Sequence, residues 1–156
     1  MSTTPYQTEK LSFWVVAAGP LGALVLGVVL LYVTGIGWQL VAEGWMAELF
    51  SGLVLGALTV VGVLGLTRRP FARSLRAVCR ELRPIFSGFG WMHLLVLALL
   101  AGVGEELLFR GFLQPWLAGY LSAELGIVAA AVVFGLLHFA SVQYFLLTTV
   151  LGLAVG

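Results

Sequence analysis

The chain has 156 residues, 61% of them hydrophobic and only 10% charged, with a net charge of +1 and a mean hydropathy of +1.08. That balance excludes an ordinary water-soluble domain and a disordered tail, and marks an integral membrane protein. The apolar runs are continuous rather than alternating, which excludes a membrane β-barrel; at about 20 residues per crossing they indicate an all-α, polytopic helical membrane protein of four full transmembrane helices plus a partial fifth.

In chain order, residues 1–10 are polar and carry Glu9 and Lys10. Leu11 to Val33 reads as the first span. It is too long for the apolar region of a signal peptide and lacks a small-residue cleavage site, so it is expected to stay as an anchor, bent at Gly19-Pro20. Thr34 to Glu48 contains Trp38 and Trp45 but no Lys or Arg, the pattern of a short loop with interfacial aromatics. Leu49 to Leu66 is the second span, with Gly52 and Gly56 as a small-xxx-small contact pair.

Residues 67–90 change character, holding Arg68, Arg69, Arg73, Arg76, Arg80 and Arg83 against the single acid Glu81. The positive-inside rule makes this loop cytoplasmic, and with it the N-terminus. Leu75, Val78, Cys79 and Leu82 fall at helical spacing between the arginines, as in an amphipathic helix resting on anionic headgroups. A basic loop beside a membrane needs no further partner, so no nucleic acid is expected. Cys79 is the only cysteine, which excludes an intrachain disulfide, and its setting reads as inert.

The third helix is expected to begin near Trp91 and to run past Arg110 to Pro115 or as far as Leu121. Leu125 to Ala140 is the fourth span, with His138 near its cytoplasmic end. Tyr144 to Gly156 opens a fifth segment of about 20 Å, too short to cross. The chain therefore divides into an N-terminal membrane region, 1–90, and a second unit, 91–156.

Glu105, Glu106 and Arg110 stand in a long apolar run, where each charge costs about 2.5–3.5 kcal/mol at a helix centre, so a functional site is the working reading. Residues four apart share a helix face, which lets Arg110 pair with Glu106. Glu105 is turned away by about 100°. Its face carries Ala98, Ala101 and Gly102, small enough for another helix to approach. Ala131, Gly135 and His138 line one face of the fourth helix. Docking of these two faces would join Glu105 to His138 as holders of a water or a metal ion. The helices are antiparallel, so the two side chains share a depth only if the third helix extends far enough to put Glu105 near its middle. His93 reads as interfacial, and Phe109 and Phe134 as packing.

Glu105-Glu106-Leu107-Leu108-Phe109-Arg110-Gly111 followed by Phe134-Gly135-Leu136-Leu137-His138 resembles the EExxxR and FxxxH motifs of the CPBP intramembrane proteases. That family takes in type II CAAX prenyl endopeptidases, Abi or bacteriocin-processing proteins, and lysostaphin-resistance-like proteins. The resemblance covers about residues 91–156. It implies hydrolysis of membrane-associated peptides or proteins, prenylated substrates among them, in a bacterial cytoplasmic membrane. Glu105 would be the general base, Glu106, Arg110 and His138 its catalytic companions, and Glu105 with His138 the candidate donors to a divalent metal such as zinc. A metallopeptidase and a glutamate-dependent hydrolase both stay open. The family's third motif, a His followed four residues on by Asn or Asp, is missing, since no histidine follows His138. The chain is therefore expected to be a fragment and inactive by itself. The alternative is a non-catalytic membrane immunity or scaffold protein of the same fold.

Overall fold

The computed structural model describes residues 11–36, 54, 56–65 and 73–156, and all secondary structure among them is helical. Helix α1, Phe13–Thr34, is opened by Ser12, whose Oγ accepts from the Val15 amide, and closed by Gly35 at a left-handed φ of 67°. Pro20 sits inside it without ending it. Helix α2 is Gly56–Gly65 and α3 is Arg73–Phe86. The expected aromatic loop with Trp38 and Trp45, the start of the second span, Gly52, Arg68 and Arg69 lie outside the described residues.

From Trp91 the chain is helical to Ala118 without a break, in three windings: α4 (Trp91–Glu105), a π-helical segment (Glu106–Leu113) and α5 (Gln114–Ala118). The expected long third helix is therefore present, ending between the two limits read from the sequence. A tight turn leads to α6, Ala123–Leu137, whose N-cap Ser122 accepts from the Leu125 amide. The second turn is equally short. His138 closes α6, and Ser141 opens α7, Val142–Val155, by accepting from the Tyr144 amide.

Two helices, Phe13–Thr34 and Trp91–Ala118, are long and apolar enough to cross a bilayer. Only 17% of either hydrophobic window is buried within the protein, so their apolar side chains face outward, as lipid contact requires. Among the described residues the fold is all-helical, with these two helices as candidate membrane spans. The fourth span read as Leu125 to Ala140 is shorter than expected: α6 has 15 residues and rises about 22 Å, less than a hydrocarbon core of about 30 Å. Capping by His138 and Ser141 turns the chain before Ala140 can join the helix.

Packing is set by small residues, with Gly104 and Gly27 used where the sequence suggested the Gly102 face. At Gly104 a Cβ would sit 2.8 Å from the Leu24 nitrogen and 2.9 Å from the Pro20 oxygen, and at Gly27 it would lie 3.0 Å from the Leu108 nitrogen. Helix α1 thus presses backbone to backbone on α4 and the π-helical segment, with Ala17 fully buried. On α6, Gly135 meets Thr149 and Phe145 of α7, while Gly152 of α7 meets Ala131. The small face of α6 is therefore spent on the α6–α7 hairpin rather than on the Gly102 face of α4. Gly102 and Gly56 have nothing within 4 Å of a Cβ.

Candidate active site

The charged stretch Glu105–Arg110 sits where the long helix changes winding. Glu105 ends α4 and Glu106 begins the π-helical segment, a kind of local rewinding frequent at functional sites. Arg110 Nη1 donates to Glu106 Oε2 at 2.8 Å, four residues apart. Arg110 is 17% exposed and Glu106 55%, so the arginine is the buried member of the pair and the acid reaches outward. This contact leaves Glu105 without the arginine.

Glu105 instead faces His138. Its Oε1 lies 3.6 Å from Nε2 of the imidazole, with each side chain about a third exposed. The meeting of the two depths follows from chain lengths. At about 1.5 Å per residue, the stretch from Glu105 to Ala118 rises roughly 20 Å, and the return from Ala123 to His138 roughly 22 Å. The turn between α5 and α6 therefore brings His138 back level with Glu105, and no unusual tilt is needed.

The imidazole is oriented from behind. His138 Nδ1 lies 2.9 Å from the Phe134 carbonyl oxygen, so the hydrogen-bond network assigns the ring proton to Nδ1, which donates to that carbonyl. Nε2 then points a lone pair toward Glu105. At 3.6 Å the two groups are beyond hydrogen-bond length, and a lone pair facing a carboxylate calls for a proton, a water or a cation that both can hold. Phe109 packs edge-on against Phe134, ring centroids 5.0 Å apart, and Phe134 lies 4.3 Å from the His138 ring, so the aromatic pair fixes the face on which the imidazole rests.

Glu105, Glu106, Arg110 and His138 line one cavity of about 390 Å³. Its walls also include Tyr144 and Thr148 of α7, Gly102 of α4, and Gly56 and Thr59 of α2. Tyr144 was not singled out by the sequence. It is half-buried in the first turn of α7, within electrostatic range of Glu105. The one available signal was its position six residues after His138, which becomes informative only once the turn at Ser141 is known. Thr148 is buried, and its hydroxyl donates to the Tyr144 carbonyl, 2.9 Å away, so it holds the helix rather than the cavity.

Two ligands of a tetrahedral zinc ion, each about 2.0–2.1 Å from the metal, are separated by roughly 3.4 Å, close to the spacing of Glu105 and His138. The donor set is nevertheless short. Among the described residues no three His, Cys, Asp or Glu side chains converge, and catalytic zinc takes three protein ligands.

The remaining singled-out residues lie elsewhere. His93 stays at the start of α4 in an aromatic cluster, its ring 5.1 Å from Phe13 and 6.0 Å from Phe89. Arg73, Arg76, Arg80 and Arg83 fall on α3, which is amphipathic as read, buries Val78 and packs against α7. Cys79 is exposed on the same helix.

Compared with known proteins, residues 87–156 match the model of one family, described as type II CAAX prenyl endopeptidase Rce1-like. This agrees with the resemblance carried by EExxxR and FxxxH. No match was found among curated proteins or solved structures.

Proposed function

We propose, from the premise that residues 87–156 belong to the CPBP/CAAX protease family, that the protein is an intramembrane endopeptidase cleaving membrane-associated peptides or proteins, prenylated ones among them, with a water activated by Glu105. The observation that carries this reading is the Glu105 carboxylate facing the oriented Nε2 of His138 across 3.6 Å at the wall of a cavity in a membrane protein. In this reading the basic helix α3 and the N-terminus face the cytoplasm.

The steps ask little of the side chains. A water held between Glu105 and Nε2 of His138 gives a proton to the carboxylate as its oxygen bonds to the scissile carbonyl carbon. The carbonyl electron pair moves onto oxygen. Collapse of that tetrahedral species breaks the C–N bond, and the proton on Glu105 passes to the departing amine. Arg110 neutralises Glu106, so that a second free carboxylate does not compete for the water. No step runs through a metal, because two donors among the described residues do not complete a zinc site.

The test uses the protein purified from its native membrane, placed in liposomes with an internally quenched peptide bearing a farnesylated cysteine. Cleavage is expected of the protein as it occurs in that membrane, though not of residues 1–156 by themselves, which lack the third motif, and Glu105→Gln is expected to lower it by at least about 100-fold. Equal cleavage by Glu105→Gln would sink the proposal. Peptide binding without cleavage in either protein would favour the immunity or scaffold reading, and loss of cleavage on adding a zinc chelator would bring the metal back.

A further inference from the structure

The cavity beside Glu105 is bounded in part by absence of side chains. Gly102 stands on α4 about one turn before Glu105, and Gly56 of α2 lines the same space. A Cβ at either would meet nothing within 4 Å. Small residues in membrane helices ordinarily let helices touch, as Gly104 and Gly27 do here. Gly102 has no such partner among the described residues, and a glycine in a helix interior is a cost unless something uses the space.

We propose that Gly102 forms the floor of a subsite over which the substrate's extended main chain passes on its way to Glu105. The inference rests on the hydrolase reading and follows from its geometry. An attacking water on Glu105 must lie about 3–3.5 Å from the scissile carbonyl carbon, so the substrate backbone comes within a few ångströms of α4 at that residue. Three helical residues rise about 4.5 Å and one extended peptide residue spans about 3.3–3.6 Å, so the next substrate residue along the axis lies beside Gly102. A side chain there would stand where that residue must go. The cavity volume of about 390 Å³ lies within the range of about 300–1,000 Å³ usual for ligand sites.

The experiment separates binding from chemistry by working in the Glu105→Gln protein, purified from its native membrane into nanodiscs, with a fluorescent farnesylated peptide read by anisotropy. Adding Gly102→Leu is expected to raise Kd about tenfold or more, and Gly102→Ala to raise it less. Gly22→Leu is the matched control, since Gly22 also has nothing within 4 Å but belongs to α1 and does not line the cavity. It is expected to bind as the Glu105→Gln protein does. With Glu105 restored, Gly102→Leu should raise KM with kcat within about threefold. A Kd unchanged in folded Gly102→Leu overturns the subsite alone and gives the space to a lipid acyl chain. No peptide binding by the Glu105→Gln protein with Gly102 intact overturns the substrate class, and the subsite with it.

Discussion

Two glycines two residues apart on α4 should respond oppositely to the same methyl group. A Cβ at Gly104 would stand 2.8 Å and 2.9 Å from backbone atoms of Leu24 and Pro20, which cannot swing away as a side-chain tip can. Helix α1 would have to move off α4, and overpacking of this kind costs about 1–3 kcal/mol. Against that, alanine in place of glycine inside a helix gains about 0.5–1 kcal/mol. The same gain applies at Gly102, where a Cβ meets nothing. The difference in stability between Gly104→Ala and Gly102→Ala therefore cancels the propensity term and isolates the packing term, about 1–3 kcal/mol. Denaturant titration of both variants in matched micelles, followed by far-UV circular dichroism and an α1-attached fluorophore, measures it. If the two variants differ by less than about 0.5 kcal/mol, within ordinary surface-substitution scatter, the close crossing of α1 on α4 is not what holds the bundle.

Arg110→Ala removes the buried member of the Glu106 pair and is expected to abolish accumulation or activity, whereas Arg110→Lys, which keeps the charge but loses the planar fork, should be intermediate; immunoblotting of membranes and the peptide assay read both, and an unaffected Arg110→Ala protein would remove Arg110 from the site. Tyr144→Phe takes one hydroxyl from the cavity wall. If that phenol donates to the reacting carbonyl, kcat falls roughly 100-fold with KM held, and a kcat within about twofold of the parent assigns Tyr144 to packing.

The helical class, the long third helix, the amphipathic helix α3 and the Glu106–Arg110 pair were legible because each depends on local periodicity: continuous apolar runs, arginines interleaved at helical spacing, and charges four residues apart. Helix partners were not. Gly102 and the Ala131–Gly135 face are a candidate docking pair by sequence, but nothing in a single sequence says which of many small residues meets which. Gly104 and Gly27, which carry the crossing of α1 on the long helix, are spaced no differently from Gly102 or Gly56. Helix ends were also hard to see, since α6 stops at His138 only because the Ser141 cap starts α7 three residues later.

The meeting of Glu105 and His138 belongs to neither group, because it depends on one boundary and simple lengths. An antiparallel return brings residues level when the chain lengths on the two sides of the turn match. Had the third helix ended at Arg110, the stretch beyond Glu105 would have risen only about 8 Å, and His138 would have overshot it by roughly 14 Å. Continuation through the π-helical segment to Ala118 supplies the missing length. The winding that carries Arg110 and Gly111 onward from Glu105 is thus also what places the histidine opposite the glutamate. A helix-breaking substitution such as Gln114→Pro should separate the pair without touching either side chain, since proline at that position removes an amide that bonds to the Phe109 carbonyl.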